Sequence, residues 1–126
     1  MGLFSALLGN AGAVNPEELA KKYGQLFVDG EEIELGFKLV RDVFLFTNKR
    51  LILIDVQGLT GSKVAYKSIL YKSISRFSVE TAGTFDLDAE LKIWVSSEAQ
   101  PSIVKQFNTS VNVYEVQKVL AQHVLG

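Results

Sequence analysis

The sequence reads as a mainly β (α+β) domain: about seven short antiparallel strands bent into a barrel or sandwich, capped by one C-terminal helix and preceded by short N-terminal helices. Three observations predict this. The chain has 126 residues, enough for one hydrophobic core and too few for two. Apolar residues make up 48% and charged residues 21%, the proportions of a globular chain rather than a disordered or fibrous one. Short runs of alternating apolar and polar residues recur between Asn, Asp, Gly and Pro signals, whereas a long stretch of helical periodicity occurs at the C-terminus. The organisation expected is an N-terminal helical extension over 1–29 and the sheet domain over 30–126.

Residues 1–16 carry no charged side chain, and Leu3, Phe4, Leu7 and Leu8 fall at helical spacing on one side. Gly9, Asn10 and Gly12 interrupt the stretch, which is far shorter than the roughly 20 apolar residues a bilayer span needs. The first lysine is Lys21, so no basic region precedes the apolar one as in an export signal, and a cytoplasmic location is expected. Met1-Gly2 is followed by Ala6 where an acylation pattern needs Ser or Thr. Leu3, Phe4, Leu7 and Leu8 are therefore expected to pack on the domain or on a neighbouring subunit, with reversible membrane attachment as the alternative.

Asn15-Pro16-Glu17-Glu18 combines an N-cap, a proline at the first helical position and an acid three residues after the cap, so a helix runs to about Tyr23 and Gly24 ends it. Asp29-Gly30 is a turn signal. Over Glu31 to Arg41, Ile33, Leu35, Phe37 and Leu39 alternate with Glu32, Glu34 and Lys38, the mark of a half-buried strand. Strands at Val43 to Thr47 and Arg50 to Asp55, joined through Asn48-Lys49, complete a three-stranded meander. These two strands are apolar on both parities, and leaving Phe44 or Phe46 in water costs about 1.5–3 kcal/mol each. Both faces must be covered. The C-terminal helix suits one face, and either the N-terminal segment or a second copy of the chain suits the other.

Val56 to Ser62, with Gly58 and Gly61, reads as a loop leading to strands at Lys63 to Leu70 and Ser73 to Thr81, and Ala82-Gly83-Thr84 breaks the run. In the next strand, from about Asp88 to Ser96, Leu87, Ala89, Leu91, Ile93 and Val95 share the inward parity. Asp88, Glu90, Lys92 and Trp94 share the outward one. Ser97 to Ser102 is a loop and Ile103 to Phe107 the last strand. The closing helix has Asn112 and Glu115 at capping-box spacing and an apolar stripe of Val113, Val116, Val119, Leu120 and Val124.

Composition removes most familiar chemistry. There is no cysteine, hence no disulfide, thiolate nucleophile or thiolate zinc site, and His123 is the sole histidine, which excludes multi-histidine metal centres. Thirteen Lys+Arg against fourteen Asp+Glu give a net charge of -1, so no overall basic field attracts nucleic acid. The charges are nevertheless sorted. Lys63, Lys67, Lys72 and Arg76 lie in a stretch without an acid, followed by Glu80, Asp86, Asp88 and Glu90 without a base. Such blocks suit a polar binding surface for a protein, or a head-to-tail subunit contact between opposite charges. The plainer alternative is a set of cross-strand ion pairs, each contributing under about 1 kcal/mol.

Asp86, Asp88 and Glu90 lack the glycine and spacing of a calcium loop, and strand geometry sets such carboxylates about 7 Å apart. Neither a metal site nor a general acid/base pair is expected from them, and no cofactor. His123 complements the dipole at the end of the last helix. Tyr66, Tyr71, Phe77 and Trp94 have no basic groove beside them, so base stacking is not expected.

Two segments carry a family resemblance: Phe46-Thr47-Asn48-Lys49-Arg50-Leu51-Ile52-Leu53, and the run from Tyr66 to Ile74 continuing through Phe77-Ser78-Val79-Glu80-Thr81-Ala82-Gly83-Thr84-Phe85-Asp86-Leu87-Asp88-Ala89-Glu90-Leu91. They resemble the bacterial pleckstrin-homology-like (PH-like) domain family. The resemblance implies a PH-like seven-stranded antiparallel bent sheet or barrel capped by the C-terminal helix, assembly into cyclic homo-oligomers, and no enzymatic activity. The departure is Leu70, where the family pattern has Pro before Tyr71. Eukaryotic pleckstrin-homology domains that hold phosphoinositides carry several bases between the first two strands; Val40-Arg41-Asp42-Val43 has one base beside one acid, so phosphoinositide binding is not expected. The interaction surface expected is Lys63, Lys67, Tyr71, Lys72, Arg76, Glu80, Asp86, Asp88 and Glu90. Oligomer or membrane contacts are expected at Leu3, Phe4, Leu7, Leu8, Phe44, Phe46 and Trp94.

Overall fold

The computed structural model describes residues 15–39, 41–81, 88–108 and 113–126. The readings made for Leu3, Phe4, Leu7, Leu8 and Asp86, for the break at 82–84 and for the Asn112 cap lie outside these residues. Helix α1 (Pro16–Tyr23) begins as its sequence dictates: Glu17 N donates to the Asn15 side chain at 2.7 Å, and proline occupies the first turn. Gly24 does not end it by a left-handed turn. Its φ is -59°, and the chain tightens into a 3-10 turn over Gly24–Leu26.

Two antiparallel sheets follow. Strands β1 (Ile33–Lys38), β2 (Val43–Thr47), β3 (Leu51–Gln57) and β4 (Lys63–Ile69) form the first, in the order β1-β2-β3-β4. A 3-10 turn over Tyr71–Ser73 leads to the second, β5 (Ile74–Thr81), β6 (Asp88–Val95) and β7 (Ile103–Asn108), in the order β5-β6-β7. Helix α2 (Val113–Leu125) closes the sandwich, burying Val116 and Leu120. Every sheet neighbour is also a neighbour in sequence, as expected of hairpins with short connections.

The space between the sheets holds the larger core: Leu35, Phe37, Phe44, Phe46, Leu51, Leu53, Leu91, Ile93, Phe107, Val116 and Leu120 among others. Its centre is aromatic, with Phe37 stacked on Phe44 at 5.1 Å and tilted against Phe107 at 5.5 Å. The opposite face of the first sheet carries a second core of Val43, Leu45, Ile52 and Ile54 under Leu19 of α1, flanked by Tyr23, Phe27 and Ile33. The doubly apolar strands are thus covered on both sides within one chain. This corrects the expectation that Phe44 and Phe46 make oligomer or membrane contacts: both are 0% exposed.

Two local features seat α1. The register between β1 and β2 shifts between Ile33 and Leu35, a bulge that sends Ile33 to the helix side rather than with Leu35 and Phe37 as strict alternation predicts. Gly36 lies where a Cβ would run into Leu19 Cδ1. Its missing side chain is what lets the helix sit down on the sheet.

Candidate interaction surface

The most tightly built polar cluster centres on Arg50, in the Thr47-Asn48-Lys49-Arg50 hairpin. Its guanidinium grips Glu31 through two bonds, Nε to Oε2 at 2.9 Å and Nη2 to Oε1 at 3.0 Å, and also donates to Leu26 O at 2.6 Å and Ser68 Oγ at 2.8 Å. The Thr47 hydroxyl donates to Glu31 Oε2 at 2.7 Å and accepts from Lys49 N and Arg50 N. Asn48 accepts from Glu32 N at 2.8 Å and donates to Gly30 O at 3.0 Å. Burial raises the Glu31 carboxyl, but bonds from Arg50, Thr47 and Val28 N outweigh it and hold the pKa at about 2. The cluster ties the 3-10 turn after α1, the turn before β1, the β2–β3 hairpin and β4 together. Each polar group is spent on another, so its role is structural. Strand alternation alone makes Glu31 an ordinary start to β1; the signal for its role is the need of a half-buried arginine for a carboxylate.

Tyr71 also proves to be internal. It is 7% exposed, its hydroxyl donates to Thr47 O at 2.7 Å, and its ring stacks on His123 at 4.2 Å. Burial raises the Tyr71 pKa. Its assignment to the interaction surface is therefore corrected. His123 Nε2 lies 2.6 Å from Glu34 Oε1, so the histidine joins α2 to β1 in addition to sitting at the helix end.

The charged residues expected on one surface divide between two. Lys63 and Lys67 are exposed on β4, the outer strand of the first sheet, and Lys67 pairs with Asp55 of β3 at 3.3 Å. Asp55 has a lowered pKa, from the Gln57 hydrogen bond first and then from Lys67 and Lys105. Lys72 is exposed in the turn between the sheets. Arg76, Glu80, Glu90 and Trp94 share the outer face of the second sheet. Register puts Arg76 opposite Trp94 and Glu80 opposite Glu90. The Arg76 guanidinium stacks over the indole at 4.1 Å, and Lys92 lies 3.9 Å from Glu80 and 3.5 Å from Glu90. Lys92 relieves what would otherwise be a like-charge pair directly across the ladder. Asp88 belongs to the same strand, β6.

At one end of the sandwich a cleft of about 400 Å³ is lined by Leu39, Arg41, Asp42, Asp55, Val56, Lys105 and Gln106. Its two cations are engaged differently: Lys105 forms an ion pair with Asp42 at 2.7 Å, and Arg41 donates to the Gly58 carbonyl oxygen. Among the described residues no group of three or more His, Asp or Glu side chains is placed to hold a metal, and no helix is long and apolar enough to cross a membrane.

A four-stranded and a three-stranded antiparallel sheet packed face to face, with one C-terminal helix across the opening, define the pleckstrin-homology class of fold. The chain is similar to a DUF1696 family protein with a pleckstrin-homology domain from Shewanella loihica PV-4, with a TM-score of 0.81 and 51% identity over 92% of this chain and 98% of that one. It is equally similar to a pleckstrin homology domain from Shewanella amazonensis SB2B, with a TM-score of 0.79 and 51% identity over 99% and 100% of the two chains. Among curated relatives, the uncharacterized proteins YjqA and YozO of Bacillus subtilis (strain 168) are 53% and 36% identical. The matches span 96% of this chain and 97% of YjqA, and 98% of both for YozO. The model of the bacterial PH domain family matches residues 2–124, and the chain belongs to that family.

Proposed function

We propose that this protein is a non-catalytic, cytoplasmic interaction module that works as a cyclic homo-oligomer and offers a polar surface to a protein partner. The observation that carries the reading is the outer face of the second sheet. There Arg76 and Glu80 are exposed beside the Arg76–Trp94 stack, and Val104 is 44% exposed. An aromatic and an arginine within a polar rim is the composition of a protein contact. Trp94, together with residues 3–8, makes the contact between copies, and the charged strand β4 and the acids of β5 and β6 meet the partner. Nucleic acid and phosphoinositide do not fit a chain of net charge -1 whose cleft lysine, Lys105, is already paired with Asp42.

Light scattering tests the reading: the wild type runs at a multiple of the subunit mass at micromolar concentration, and Trp94→Asp lowers that mass. A wild-type mass of one subunit refutes the assembly. The alternative, a peripheral membrane module, draws on Lys21 and Lys22, exposed on α1; equal pelleting with anionic vesicles with and without residues 1–14 removes it.

A further inference from the structure

Strand β4 ends its sheet with lysines as its protection, an edge that repels a basic strand and suits an acidic one. Among the described residues it pairs with β3 alone, and the other row of its backbone N–H and C=O groups meets no strand among them. Natural edges are blunted by bulges, prolines, short length or charged side chains, lysine above all. β4 has neither bulge nor proline, and Lys63 and Lys67 are the device it carries: its seven residues pair with β3 in unbroken register from Lys63 opposite Gln57 to Ile69 opposite Leu51. The edge strand β5, by contrast, has a register irregularity between Ile74 and Arg76. β4 also presents two different faces. Lys63 and Lys67, four residues apart, share one face with Ala65 between them, while Val64 and Tyr66 share the other, 38% and 53% exposed.

We infer that β4 captures an extended segment of a partner protein as a fifth strand, and that the segment carries an acid, an apolar residue, any residue, an apolar residue and an acid in succession. The inference rests on the interaction-module reading above and names the partner's chemistry. The backbone edge supplies the pairing, and alternate side chains supply the selection. Side chains directly opposite across a ladder approach closely, so Lys63 and Lys67 each face an acid while Val64 and Tyr66 each face an apolar residue. Among the described residues Asp55 alone pairs with Lys67, at 3.3 Å, and the Lys67 side chain keeps 54% exposure. The cations are available to a newcomer.

The probe is a fluorescein-labelled peptide Ser-Glu-Val-Thr-Val-Glu-Ser, read by anisotropy against the full chain. It is compared with Ser-Lys-Val-Thr-Val-Lys-Ser and with the acidic peptide methylated at every backbone nitrogen. The acidic peptide binds, the lysine peptide and the methylated peptide do not, and the double variant Lys63→Glu/Lys67→Glu weakens binding about tenfold or more. Because Lys67→Glu sets a second acid beside Asp55, Lys63→Gln/Lys67→Gln is measured too, and it weakens binding in the same direction. No binding by the wild type, equal binding of the acidic and lysine peptides, or indifference to methylation overturns the inference. A drop in oligomer mass caused by either double variant overturns it as well, because β4 is then a contact between copies. In each of these cases the wild-type mass still judges the assembly reading on its own.

Discussion

Removing the charge of Glu31 separates the Arg50 cluster from every other contribution to stability. The Glu31 side chain has no exposed surface, and its carboxyl sits at about 2 where an ordinary glutamate sits at 4.5. Holding it there is worth on the order of 3 kcal/mol at neutral pH. The folded pKa is the depressed one, so this stabilisation is complete above about pH 5 and drains away as the pH falls through 4.5 toward 2; about 2 kcal/mol is gone by pH 3. Glu31→Gln keeps the shape but leaves the Arg50 guanidinium without its anion, a loss of about 3–5 kcal/mol at pH 7. Urea unfolding of both proteins at pH 7, 5, 4 and 3 reads the difference directly. Other acids titrate alike in the two, so the gap between them narrows by about 2 kcal/mol from pH 7 to pH 3. Parallel loss of stability in wild type and variant refutes the assignment of the ion pair as the main fastening of this region.

Two more substitutions follow from the packing. Leu19→Ala removes the plug of the second core and costs about 2–5 kcal/mol in urea unfolding; a loss under about 1 kcal/mol means that α1 does not cover the sheet. Leu70 has φ -73° and ψ 132°, the backbone a proline adopts, and Ile69 before it is extended. Leu70→Pro is therefore expected to raise stability by about 0.4–1 kcal/mol and the melting temperature by about 2–4 °C; a fall refutes this account of the turn.

That turn also bears on the proline expected at this position from the resemblance: Leu70 takes up the conformation that proline would impose. Much else was legible locally. The Asn15 cap, the alternation that buries Leu91 and Ile93 on β6, and the apolar stripe placing Val116 and Leu120 in the core all follow from spacing within one element. The misread residues depend on distant partners. Tyr71 looks like a surface tyrosine between two lysines until Thr47 O and the His123 ring are brought to it. Ile33 looks aligned with Leu35 until the bulge against β2 turns it toward α1.

By itself, then, the sequence determined the class of fold, the order of its elements, the sorting of charge into a basic and an acidic block, and the absence of thiol and multi-histidine chemistry. Periodicity and residue type carry these, and both are properties of neighbours along the chain. Only the tertiary structure decided which faces those elements present. It covered the doubly apolar strands with α1 rather than leaving them to a second copy. It spent Arg50 of the family hairpin on a buried glutamate, and it split the basic block, leaving Lys63 and Lys67 on β4 and setting Arg76 on the face that carries Glu80 and Glu90. The physical reason is common to all three. A strand has two faces and an edge, and which of them meets water depends on what the rest of the chain lays against it.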